Sequence, residues 1–70
     1  MPGSNNVRAH RKQARITQAE LGTICGVSRQ SIVSVEGGDY APSVYLALRL
    51  ARALDTTVET LFGDDEGKRT

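Results

Sequence analysis

Reactive side chains are scarce in this chain of 70 residues, which holds one histidine, His10, and one cysteine, Cys25. Neither has a second His, a second Cys or a carboxylate cluster to work with, so the sequence assembles no metal site and no nucleophile–base pair. This pattern argues against an enzyme and implies no cofactor, no metal and no small-molecule ligand. Cys25 reads as a small buried hydrophobe. The chemistry that remains is non-covalent. In the stretch GVSRQSIVSVEGG, from Gly26 to Gly38, Val27, Ile32 and Val35 mark an apolar stripe, and the opposite face carries Arg29, Gln30, Val33 and Ser34. That face is poor in charge and rich in hydrogen-bonding groups, whereas a merely solvated helix face would carry Lys and Glu.

Positioning these groups falls to one small domain, near the lower limit at which a single core supports folding without staples. With no disulfide possible, stability must come from regular, well-capped helices or from a partner subunit. No apolar run approaches a membrane span, and the opening MPGSNN lacks a signal-peptide core, so the expected location is the cytoplasm. The net charge of +1 taken alone suggests no nucleic-acid partner. Its distribution says more. Residues 1–36 hold five cations and two carboxylates, a net +3, while residues 37–70 hold four cations and six carboxylates, a net −2. A split of this kind hints at a basic face with a polyanionic partner.

Every periodic segment keeps the helical period, and none alternates as a strand would. The spacing predicts an all-α fold of five helices over 6–14, 18–25, 29–36, 44–54 and 58–62. Val7, His10, Arg11 and Ala14 share one face of the first, with Asn5 or Asn6 as its cap. Thr17 and Glu20 form a capping box at the second, where Ile16 can staple against Leu21; Gly26 ends it in the left-handed conformation. Ser28, Ser43 and Thr57 cap the remaining three. In the fourth helix Val44, Ala47, Leu48, Ala51 and Leu54 make a wide apolar stripe that Leu46 and Leu50 broaden, and Asp55 serves as a left-handed stop. Residues 1–5 read as a disordered N-terminal segment, 6–62 as the domain and 63–70 as a charged flexible tail.

Only Gly26 and Val27 separate Cys25 from the Ser28 cap, so two short helices must cross steeply over a tight turn. That is a helix-turn-helix arrangement, which projects the start of its second helix outward. The run TQAELGTICGVSRQSIVSVEGGDYAPSVYLALRLARAL resembles the phage-repressor and Cro-type helix-turn-helix regulators, the XRE family. The resemblance spans roughly residues 6 to 62. It implies that the 29–36 helix lies in the major groove of double-stranded DNA while the second helix crosses the backbone. On that reading Arg29 and Gln30 can bond guanine and adenine edges in pairs, Val33 can pack a thymine methyl, and Ser34 reads a base directly or through water. Gln18, Ser28, Ser31 and Tyr40 are the phosphate contacts it implies, with Arg8 and Lys12 adding charge according to how the first helix faces. Arg11 and Glu36 match a structural ion pair of the family. Departures from the family pattern are His10, where an aliphatic residue is usual; Gly22, where Ala is commoner, at a cost of about 1 kcal/mol in helix propensity; and Arg15, where Gly often ends the first helix.

The resemblance therefore points to a small transcriptional regulator, a repressor acting as a homodimer on a two-fold operator. Tyr45, Leu46 and Leu50 are the apolar surplus expected to form the dimer surface. Two other readings stand beside it: an antitoxin or controller protein of a small operon that also binds a protein partner, and a protein-interaction module that has kept the fold and lost DNA binding.

Overall fold

Five short helices follow one another in the computed structural model, which describes residues 5–39 and 41–63. They are α1 (Val7–Gln13), α2 (Gln18–Cys25), α3 (Arg29–Gly37), α4 (Val44–Ala53) and α5 (Val58–Phe62). There is no strand among the described residues, and each helix begins and ends within one residue of its expected bounds. Of the two expected terminal segments, all but Asn5 and Gly63 lies outside the described residues.

The caps explain why such short helices hold. At α2 the Thr17 hydroxyl accepts from the Glu20 amide at 3.0 Å, and the Glu20 carboxylate accepts from the Thr17 amide at 2.7 Å. Two backbone donors are thereby satisfied reciprocally. The side chains of Ser28, Ser43 and Thr57 each accept from the amide three residues on. Helix α1 is the exception. Asn6 occupies the cap position without capping, and its side-chain amide donates instead to the Thr60 carbonyl at 2.8 Å. Asn5 does the capping from one residue further out, its Oδ1 accepting from the Val7 amide at 3.0 Å while its Nδ2 donates to the Val35 carbonyl at 2.7 Å. Asn5 thus belongs to the fold, and this asparagine pair ties the start of α1 to α3 and α5.

The core gathers Val7, Leu21, Cys25, Ile32, Val35, Leu46, Leu50, Ala51, Leu54 and Leu61, at least one from each helix, with Ile16, Val27 and Phe62 packed against it. Burying each large aliphatic side chain contributes about 1.5–3 kcal/mol. Two expectations for α4 are corrected here. Leu46 and Leu50 are core residues, with Leu50 fully buried, so neither can form a dimer surface. The side of α4 that meets solvent carries Val44, Tyr45 and Leu48, exposed by 73%, 78% and 42%. Arg49 and Arg52 are also exposed; Tyr45, Leu48, Arg49 and Arg52 fall at helical spacing and set the rotation of the helix. Arg49 reaches back across α2, its Nη1 donating to the Cys25 carbonyl at 3.2 Å, a bond that satisfies one of the last carbonyls of that helix. Cys25 itself is sealed, and burial pushes its thiol pKa upward while Arg49 partly offsets the rise.

Gly26 ends α2 at φ +76° and turns the chain directly into the Ser28 cap, a conformation that favours glycine. Gly22 matters for a different reason. A methyl group on it would sit 2.8 Å from the Val27 carbonyl oxygen and 3.2 Å from the Ser28 carbonyl carbon. Helix α2 and the turn therefore approach too closely for a side chain at this point. Replacing Gly22 by Ala should gain about 1 kcal/mol of helix propensity and lose about 1–3 kcal/mol to overpacking against backbone. The expected outcome is a lower melting temperature for Gly22→Ala by thermal denaturation followed by circular dichroism; a higher one would show that the turn relaxes freely.

Candidate nucleic-acid interface

Helix α3 buries Ile32 and Val35 on one side. That rotation leaves Arg29 and Gln30 exposed at its N-terminal turn, with Val33 and Ser34 half-buried further along. Val33 is thus less open than the sequence suggests, though part of it still reaches the surface. At the cap, the Ser28 hydroxyl accepts from the Ser31 amide, and the two hydroxyls lie 3.1 Å apart. One hydroxyl donates to the other, which leaves one proton of the pair for an outside acceptor. Tyr40 lies outside the described residues.

The position of α3 is fixed from behind by a buried charged group. Arg11 Nε donates to Glu36 Oε2 at 2.6 Å and Arg11 Nη2 to Glu36 Oε1 at 3.2 Å, a two-point pairing of guanidinium with carboxylate. The side chains are only 11% and 5% exposed. Arg11 Nη1 donates in addition to the Ile16 carbonyl at 3.0 Å. Gln18 completes the group: its Nε2 donates to Glu36 Oε1 at 3.2 Å. No pattern along the chain signals this bond, since Gln18 looks like an ordinary first-turn glutamine. Gln18 is half-buried, with one amide proton committed to Glu36 and a second still available to the surface.

In front of this group lies an open cleft lined by Arg11, Lys12, Arg15, Ile16, Thr17, Gln18, Ala19 and Arg29. It joins the end of α1, the first turn of α2 and the first turn of α3. No carboxylate lines it. Arg11 is neutralised by Glu36, but among the described residues Lys12, Arg15 and Arg29 have no acidic partner. The question of how α1 faces is answered for its cations: Lys12 lines the cleft and Arg8 does not. The amides of Gln18 and Ala19 also open here, since the capping box satisfies Thr17 and Glu20 and leaves these two without an acceptor among the described residues. Free amides at a helix start and unpaired cations around them form an anion-attracting surface.

A short turn at Gly26, an outward-facing helix start and a second helix laid behind it define a helix-turn-helix domain. The chain belongs to the helix-turn-helix family, whose model matches residues 7–61. A relative in Methanothermobacter thermautotrophicus, described as an uncharacterized HTH-type transcriptional regulator, is 48% identical over 61 residues, covering 86% of this chain and 88% of that protein. One of the same description in Bacillus subtilis is 37% identical over 62 residues, covering 89% of this chain and 94% of the other. Among solved structures, the P22 c2 repressor protein in complex with a synthetic operator superimposes with a TM-score of 0.80 at 34% identity, over 91% of this chain and 98% of that one.

The Arg11–Glu36 pair joins α1 to α3, and removing one partner leaves the other charge buried alone. That costs about 3–5 kcal/mol, most of the stability of a domain this small. Glu36→Ala is expected to lose its cooperative thermal transition, or to melt far below the wild type, before any change in DNA preference can be measured. A melting temperature within a few degrees of wild type would overturn this.

Proposed function

We propose that this protein binds double-stranded DNA sequence-specifically as a small transcriptional regulator, laying α3 in the major groove. The observation that carries the reading is the placement of Arg29 and Gln30 at the exposed start of α3, directly beside a cleft of unpaired cations and open amides. Guanidinium and amide forks match the donor and acceptor pairs of guanine and adenine edges, each good match giving about 1–3 kcal/mol of discrimination. Val33 and Ser34 lie further along the same helix, where a thymine methyl and a base edge or bridging water would meet them. Phosphates on one flank would take the Gln18 and Ala19 amides, the second Gln18 side-chain proton and the Ser28–Ser31 hydroxyl pair, and such contacts supply affinity without reading sequence. Tyr40 completes the phosphate set in this proposal.

Repression is favoured by the likeness to an operator-bound repressor. One recognition helix reaches only a few base pairs, so useful specificity calls for two copies on half-sites about 34 Å apart. The surface we assign to that homodimer is the exposed side of α4 around Tyr45, with Val44 and Leu48 beside it. The site of action in this reading is the cytoplasm.

Selection from a randomised duplex library at near-physiological salt is expected to enrich an inverted repeat. Arg29→Ala and Gln30→Ala should each relax preference at one position per half-site and weaken binding there by roughly tenfold. Enrichment of no sequence, with weak binding insensitive to salt, would reject the DNA reading in favour of a protein-interaction module. Tyr45→Glu places a charge in the proposed dimer surface and should convert dimer to monomer in sedimentation velocity with the melting temperature nearly unchanged. A dimer that survives this change would place the contact elsewhere.

A further inference from the structure

Arg15 stands in the turn between α1 and α2 at φ +63°. For a residue with a side chain this left-handed backbone is unfavourable, and glycine adopts it freely. The arginine makes no compensating contact: among the described residues its side chain has no hydrogen bond and no carboxylate partner, and it is exposed. Only its backbone is held, its amide donating to the Lys12 carbonyl at 3.0 Å. Nothing in the folding of this chain is served by an arginine here. What the position does provide is a place in the lining of the cationic cleft, together with Lys12, Thr17, Gln18 and Arg29.

We infer that Arg15 is a phosphate-binding residue, holding the DNA strand that flanks the groove occupied by α3, with Lys12 as its neighbour on the same strand. This rests on the DNA-binding reading above and extends it to a residue outside the helix-turn-helix itself. Geometry sets the order of contacts. Arg29 lines the same cleft from the start of α3, so a duplex engaged by Arg29 brings its backbone over the first turn of α2. The Arg15 guanidinium, lining the same cleft from the turn before α2, then meets a phosphate of that strand. Arginine suits the task because its fork pairs two phosphate oxygens at once. The strained turn is retained as the cost of aiming that fork, a common circumstance at functional positions.

Stability and binding should therefore move in opposite directions on substitution. The probe is a fluorescein-labelled duplex of about 20 base pairs of arbitrary sequence, titrated by anisotropy across a salt series, since a phosphate contact needs no operator. Arg15→Gly is expected to raise the melting temperature by a few degrees, weaken binding several-fold at low salt and reduce the slope of log Kobs against log salt by about 0.9. Arg15→Lys should keep most of the affinity and the slope. Arg52→Gln, which removes the same charge from α4, should leave the slope unchanged. Equal binding by Arg15→Gly and wild type overturns the inference while leaving the DNA reading intact, as does an equal slope change in Arg52→Gln. Absence of salt-dependent binding by the wild type overturns both.

Discussion

The ion pair between Arg11 and Glu36 is the constraint on which the rest of the arrangement depends. Apart from the Asn5 side chain on the Val35 carbonyl, the other ties to α3 are apolar and therefore tolerant of rotation, because dispersion and burial have little directional preference. The paired guanidinium and carboxylate do have direction. Glu36 sits in the last turn of α3, so fixing its carboxylate fixes how that helix is rolled and where Arg29 and Gln30 point. Gln18 draws the first turn of α2 into the same group, and the Ile16 carbonyl draws in the turn before it. Three helices are thus set in register by one carboxylate accepting three hydrogen bonds.

This economy has an electrostatic counterpart. Glu36 neutralises Arg11 from within, so the cationic character of the cleft is left to Lys12, Arg15 and Arg29, which stand at its surface. Glu20, the other carboxylate of the first half of the chain, is occupied by the capping box. Both acids near the interface serve the fold, and neither opposes an approaching polyanion. The net charge of +1 conceals this division, because what an anion meets is the arrangement of unpaired charges and not their sum.

Much of the fold was legible because its signals are local. Caps and left-handed stops act within three or four residues, so Thr17 with Glu20, Ser28, Gly26 and Asp55 could be read directly. Helix α4 was harder. Its apolar residues run almost without interruption from Val44 to Leu54, and a stripe drawn through them has no unique orientation; the two arginines were the better guide, since Arg49 and Arg52 mark the face that must reach water. Centring the stripe on Val44 and Leu48 left Leu46 and Leu50 as apolar surplus for a dimer surface, whereas they complete the core and Val44 and Leu48 meet solvent. In the interface, the exposure of Arg29 and Gln30 followed from the burial of Ile32 and Val35. The bond between Gln18 and Glu36, and those of Asn5 and Asn6 to α3 and α5, span 18 residues or more. Partners that distant are chosen by tertiary geometry, and no pattern along the chain announces them.

The buried thiol of Cys25 makes the protein its own gauge of opening. It is 1% exposed, faces the seam between α2 and the rest of the core, and is held in the unreactive protonated form by its surroundings. No other cysteine competes for a thiol reagent. Labelling can therefore proceed only through states in which α2 lifts from its neighbours, and its rate measures how often the helix-turn-helix unit breathes. A ligand that grips α2 and α3 together would slow that clock, whatever the ligand is, without any probe having to be introduced into the chain.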